Sequence, residues 1–482
     1  MLTRKMIIGM FISFVVLMNA ICWGTTYYVD PSGSDDANGL LWEDAFATIQ
    51  KGVDTAVNGD TVDVNVGTYY ETVDFNGVAC TVTSINPYDS DVVDATIIDA
   101  NGGSYGVHFH NYEDANSILT GFTIQNANFG IYCLPASPTI TYCNMKNNES
   151  GGIACCFSNS IVEYCIIEST SNVGMWIQGN VGVPYNTTIR YNIIRDSNND
   201  GMYIRGQSAT VKNNWIYDNG RFGAIIWDSN STVLRNNTIV GNTAAGVYVV
   251  GTEPNISNCI LWDNGDDLYG FGDLYNCTAT YSCIEDCNDA NGIGNICGDA
   301  NDPMFVDPNN DDYHLDPNSP CFNAGDPNYE PEDGETDIDD QPRVMVTEVD
   351  MGADEAAYLP TCHPDYNEWV SFGKPSCWCY QRQCRGDSDG LKYSDPNGWF
   401  YVGQPDLDLL ILAWKVKEPP HGPGIGSVEN GICADFDHQQ EGDPRGGYFR
   451  VGAGDLGILL EYWKILEPPD GNGIDPNCLE CE

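Results

Sequence analysis

The chain is poor in positive charge: 20 Lys and Arg stand against 69 Asp and Glu over 482 residues, a net charge of −49. Nucleic acid is excluded as a partner, because phosphate binding needs clustered Lys and Arg. Tight binding of a polyanionic sugar is awkward for such a chain unless a cation such as Ca2+ intervenes. Histidine is scarce too, with six in the chain. Beyond the first residues no run approaches 18 apolar residues, so no membrane span is expected. The 3.6-residue periodicity of amphipathic helices is missing from the central region, which excludes a helical repeat there.

Hydrophobic residues make up 42% and aromatics 11%, too much for a disordered acidic tail and enough for two or three domains at about 150 residues each. Arg4 and Lys5, the apolar run Met6 to Ala20 and the small Gly24 read as a secretory signal over residues 1–24. The expected location is extracellular or at the cell surface. Of 20 cysteines, 19 would remain after cleavage, an odd number that leaves at least one thiol free in an oxidising compartment.

A phrase of glycine followed by alternating residues begins at Gly106, Gly130, Gly152, Gly174, Gly201, Gly223 and Gly246, at spacings of 24, 22, 22, 27, 22 and 23. Between these lies a second phrase: an apolar residue, Asn or Cys three later, then another apolar residue. Examples are Val162, Cys165, Ile167; Ile189, Asn192, Ile194; and Val211, Asn214, Ile216. Around Asn236 and Asn237 this phrase reads as carrying one extra residue. Short strands and Asn-rich turns at this period predict a solenoid in which each coil buries its neighbour's face.

These phrases resemble the right-handed parallel β-helix of the pectate-lyase-like superfamily, over residues 25–264. The resemblance implies an all-β solenoid, stacked turn asparagines at Asn192 and Asn214, and an N-terminal capping helix. A helix is expected at 44–57 with Ala45, Phe46, Ile49, Val53 and Ala56 on one face. Residues 265–360, rich in Asp, Pro and Cys, are expected to close the solenoid.

Alternation assigns sides to each strand. The residues one and three after each glycine, such as Val107 and Phe109, or Met175 and Ile177, point inward. The residue between them points outward: His108, Tyr132, Ala154, Trp176, Tyr203, Ile225 and Tyr248. Four after the glycine come His110, Gln178, Arg205 and Trp227. An outward aromatic row is a surface for sugar rings, so Tyr132, Trp176, Gln178, Tyr203, Trp227 and Tyr248 are the expected substrate contacts. The 27-residue coil inserts 179–185 as an expected groove wall.

Lyases of the superfamily use an Arg or Lys base, and its hydrolases use Asp pairs; the resemblance therefore selects Arg205, with Asp200 and Asp228, as the catalytic candidates. The Gly-His and Arg-Ile-Lys phrases of polygalacturonases are missing, and no lyase motif is evident. His108 and His110 read as surface polar residues, although such a pair could bind a metal. Cys133 with Cys155, and Cys143 with Cys165, occupy equivalent positions in neighbouring coils and read as buried thiols, since their parallel side-chain vectors suit a disulfide poorly.

Residues 361–482 form a different module. Cys384 and Cys433, Asp406 and Asp455, and Trp414 and Trp463 recur at 49 residues. Each half opens with an Asp-x-Asp pair, Asp387 with Asp389 and Asp435 with Asp437, and ends in an amphipathic helix. This duplicated plan resembles a dockerin, which implies a small, mostly α domain, Ca2+ as cofactor and a cohesin-like or other cell-surface protein as partner. A 12-residue EF-hand loop counted back from Asp406 would place Asp395 and Asn397 as ligands, but the same count in the second half falls on Pro444 and Gly446. The expected function is a secreted polysaccharide-binding or polysaccharide-degrading β-helix with an attachment tail. The competing reading is a structural or adhesive solenoid at the cell surface.

Overall fold

A computed structural model describes residues 24–357, apart from 230, 272–277, 289–290 and 346–347, and parts of 388–463. Residues 1–23 of the expected signal segment, and Cys362, Cys377, Cys379 and Cys384, lie outside the described residues.

Three parallel sheets of eleven, nine and eleven strands run the length of the solenoid. Each coil gives one strand to each sheet, as in Tyr105–Phe109, Ile118–Thr120 and Thr123–Gln125. We call the three sheets C, A and B in that order. Neighbouring coils pair in register, so Val107, Ile131, Ile153, Met175, Met202, Ala224 and Val247 form one inward column and all are fully buried. Stacking identical positions buries each side chain against its own kind, which is why the core reads as columns of Ile, Val and Met.

The corners are built from left-handed residues. Between sheets A and B one residue per coil has positive φ, including Tyr142 (50°), Tyr164 (54°), Tyr191 (57°), Asn213 (57°) and Asn236 (55°). The residue after each turns its side chain inward. Where it is Asn, the amide is donated to the next coil: Asn192 Nδ2 to Asn214 Oδ1 at 3.0 Å, then Asn214 Nδ2 to Asn237 Oδ1 at 2.9 Å. The ladder expected from Asn192 and Asn214 therefore extends to Asn237. Leu234, Asn237 and Ile239 stack on Val211, Asn214 and Ile216 with no extra residue, because the turn at Asn236 belongs to every coil. A second ladder, Asn219 to Asn242 to Asn264, lies one corner on, each step at 3.0 Å. Sequence reading missed it, although each of its asparagines also follows a positive-φ residue: Asp218, Gly241 and Asp263.

The N-terminal helix is shorter than expected, Ile49–Thr55, and capped by Thr48, whose hydroxyl accepts from the Lys51 N–H. Phe46 lies outside it and bridges to Val29 in extended conformation. Ile49 and Val53 pack into the core. Parallel pairing continues past residue 264, to Ile296–Cys297. Cys287 is disulfide-bonded to Cys297, and Cys133, Cys143, Cys155, Cys165 and Cys259 are buried free thiols. Residues 305–315 then form an antiparallel hairpin. The closing segment lies on the outside of sheet B: Tyr313 and Ala353 pack on Trp215, Tyr217 and Val240, and Asn213 Nδ2 donates to the Thr336 carbonyl. Sheet C carries exposed Arg205 and Trp227 on its outer face.

In the C-terminal region two helices, Gln404–Ala413 and Ala453–Tyr462, share a small core with Val402, Phe436 and Val451. Among the described residues of the solenoid and tail, no helix is long and apolar enough to cross a membrane.

Candidate functional site

The outward column of sheet C is His108, Tyr132, Ala154, Trp176, Tyr203, Ile225 and Tyr248, in register from coil to coil. Its aromatic row is interrupted. Ala154 and Ile225 are buried, at 0% and 4% exposure, and they break the row into three clusters. Tyr105 stacks on Tyr132 at 4.6 Å, Trp176 on Tyr203 at 4.7 Å, and Phe222 on Tyr248 at 4.7 Å, which continues to Tyr269 at 5.4 Å. Ring centroids at these separations suit offset stacking.

The gap at Ala154 matters. With a methyl between two rings, Tyr132 and Trp176 stand apart and bound a cleft of about 320 Å³, further lined by Phe129, Leu134, Cys156, Phe157 and Gln178. The signal was a small residue in an aromatic column. Burial and neighbouring thiols push the Tyr132 hydroxyl up to about 12, and burial pushes the Cys156 thiol to about 12, so both are neutral at physiological pH. Gln178 is fixed at the cleft edge by accepting from the Trp176 indole N–H at 2.9 Å.

Beside this lies the column Gln178, Arg205, Trp227. The Arg205 guanidinium sits 4.9 Å above the Trp227 ring, a cation–π stack. Of the seven cations between residues 100 and 262, six are held in ion pairs: Lys146 with Asp94, Arg190 with Glu163, Arg195 with Glu168, Lys212 with Glu332, Arg221 with Asp200 and Arg235 with Glu332. Arg205 has no ion-pair partner among the described residues.

The three catalytic candidates do not converge. Asp200 precedes its strand, Arg205 ends it, and an extended chain of that length spans about 16 Å. Asp200 is 4% exposed and accepts from both Nε (2.8 Å) and an Nη (2.5 Å) of Arg221. Its carboxylate anchors one coil to the next. Asp228 sits at φ 51° in the turn after Trp227, in a pocket of about 280 Å³ walled by Val181, Gly182, Val183 and Pro184. The insertion thus covers this corner, with Val181 65% exposed at its tip.

The tail residues that could hold Ca2+ divide in two. Asp406 accepts from the Gly403 N–H on one oxygen and the Ser388 N–H on the other, both at 2.7 Å. Asp455 repeats this with Gly452 and Phe436, again at 2.7 Å. Both carboxylates are buried at the third position of their helices and satisfy backbone donors there. That is a helix cap. Asp387, Asp389, Asn397, Asp435 and Asp437, and the Asp395 side chain, lie outside the described residues.

A family profile described as a right-handed β-helix region matches residues 183–301. No curated protein matches the chain by sequence. Among solved structures, a pectate lyase is similar at 17% identity with a TM-score of 0.53, covering 68% of this chain and 96% of that one. A lacto-N-biosidase from Eubacterium ramulus is similar in two structures at 12% identity and TM-scores of 0.43 and 0.44, covering 56–57% of this chain and 61% of that one. An alginate lyase from Paenibacillus sp. strain FPU-7 is similar at 15% identity and a TM-score of 0.35, covering 52% and 92%. Together with the coil-by-coil pairing, the β-helix profile and the likeness to the pectate lyase show the fold of the chain to be a right-handed parallel β-helix.

Proposed function

We propose that sheet C binds an acidic polysaccharide across Trp176, Tyr203, Arg205 and Trp227, in a protein that is secreted. The observation that carries this reading is Arg205. In a chain with more than three acids for every base, it is the cation between residues 100 and 262 that is left without a carboxylate partner among the described residues, and it stands against the exposed Trp227 ring. A guanidinium so placed can take a uronate carboxylate in two parallel hydrogen bonds, while the rings stack on sugar faces. The pectate lyase that shares the fold acts, by its name, on an acidic polymer of this kind.

Binding is favoured over hydrolysis, because hydrolysis needs a carboxylate pair flanking one bond and Asp200 is engaged with Arg221. Elimination with Arg205 as base is the second reading, favoured by the same unpaired guanidinium. The duplicated tail is proposed as the attachment module for a cohesin-like partner. Supporting this, its two halves carry the same helix and the same buried cap, Asp406 and Asp455.

The test is a panel of pectates, alginates and neutral polysaccharides followed for binding, unsaturated product and reducing ends. Binding to acidic polymers that is lost in Arg205→Ala supports the proposal, and unsaturated product would move it to a lyase. Equal binding of neutral polymers, or none at all, overturns it.

A further inference from the structure

The start of sheet C holds a cluster outside the surface just described. Asp74 and His108 are register partners on adjacent strands, and His110 lies two residues on from His108. The ligand atoms of the three side chains all lie within 4.8 Å of one another. His110 Nε2 is 2.9 Å from Asp74 Oδ2, and His108 Nδ1 is 3.8 Å from the same oxygen. The first distance is a hydrogen bond. The second is too long for one, so His108 turns a ring nitrogen towards a carboxylate it does not reach.

We propose that Asp74, His108 and His110 form a binding site for a divalent transition metal ion of the zinc class. Two ligands about 2.1 Å from one tetrahedral ion are about 3.4 Å apart, so separations of 2.9 and 3.8 Å need shifts of about half an ångström. Imidazole nitrogens select zinc-like ions over Ca2+ and Mg2+, which prefer oxygen.

The cluster is held from behind. Gln50 accepts from the Asp74 N–H at 2.7 Å and donates to its carbonyl at 3.0 Å, and the Asn76 N–H donates to Asp74 Oδ1 at 2.9 Å. The two imidazoles stack at 4.3 Å, and Tyr105 closes the other face of His108 at 4.5 Å. Such fixed orientation is what outer contacts supply at metal sites. Buried Glu113, tied to the Gly77 and Asn111 N–H groups, adds negative charge nearby. All three ligating residues are half-buried, so one coordination position would face solvent beside Tyr132. The site stands whether or not the Arg205 surface binds a glycan.

The experiment uses the full chain, stripped of metal and titrated with Zn2+ by calorimetry and with Co2+ by visible absorption, in the presence of excess Ca2+ to fill oxygen-only sites. The expected result is one Zn2+ equivalent, and one set of Co2+ ligand-field bands without thiolate charge transfer, that is missing from His108→Ala and from His110→Ala. Circular dichroism and Tm establish that each variant is folded. His110→Gln, at the strand end, keeps the shape and removes the ligand, and is expected to weaken Zn2+ at least tenfold. Failure of the unaltered chain to bind Zn2+ in the presence of excess Ca2+, or unchanged stoichiometry and affinity in these variants, overturns the site.

Discussion

Asp200 and Arg221 lock two coils together: both carboxylate oxygens of the buried Asp200 are taken by the guanidinium of Arg221, at 2.8 and 2.5 Å. The pair explains why this acid is not free to serve the proposed glycan-binding surface. Asp200→Asn is expected to lower unfolding free energy by on the order of 1 kcal/mol, since the Arg221 end is half exposed. Polysaccharide affinity should stay unchanged. Denaturant titration and binding, measured on the same variant, check both halves of this statement.

Arg205 behaves in the opposite way. Its replacement by Ala removes a cation that no carboxylate among the described residues uses, so Tm should stay within about 1 °C. Binding of an acidic polymer should fall about 10- to 100-fold, the loss of a charge-assisted contact. Trp176→Ala removes stacking and a cleft wall, with an expected loss of up to about tenfold. A calorimetric titration at two salt concentrations separates the two, because only the Arg205 contribution is screened.

The asparagine ladders predict a position-dependent cost. Asn214 Nδ2 donates to Ile189, Lys212 and Asn237, and its Oδ1 accepts from Asn192. Asn214→Ala strands these buried groups, at about 1–3 kcal/mol each before relaxation, so a loss of at least about 2 kcal/mol in urea unfolding is expected. Asn264, at the ladder's end and only partly buried, should cost less on the same change.

His314 ties pH to stability. A hydrogen bond to Asp339, with the charges of Asp354 and Asp339, lifts its imidazole from 6.5 to about 10. A base with a raised folded-state value gives stability that is complete below pH 6.5 and is lost as pH climbs through about 10. Burial lifts Asp350 from 3.8 to about 7, and a raised acid acts in the same direction, its contribution fading between those values. Tm should therefore fall from pH 6.5 to pH 10. His314→Asn should flatten that slope; an unchanged slope would refute the assignment.

The inward columns were legible in the sequence because strand alternation has only two sides, and seven repeats of Gly-x-x-x fix which is which. The outer surface was legible only in part. Alternation names Ala154 and Ile225 as outward but not as buried, because burial there depends on the rings one coil above and below. The pairing of Asp200 with Arg221 also crosses coils, linking residues 21 apart, and a list of acids near Arg205 cannot show it. The second ladder was missed because its signal is a backbone property, the positive φ of Asp218, Gly241 and Asp263, shared by two unlike residue types. Helix length at the N-terminus was overestimated because Ala45 and Phe46 continue the apolar spacing while belonging to the extended segment before Thr48.

The insertion at 179–185 has a consequence for how this surface can change. The strands on either side of it keep the same partners: Met175 meets Met202 and Gln178 meets Arg205, as if the coil had the ordinary length. The added residues are absorbed at a single corner, and no shift passes to the layers above or below. The solenoid therefore works as an indexed rack whose corners accept grafts one at a time. New walls can be raised around Arg205 and Trp227 by lengthening a corner, while every rung of the interior keeps its place.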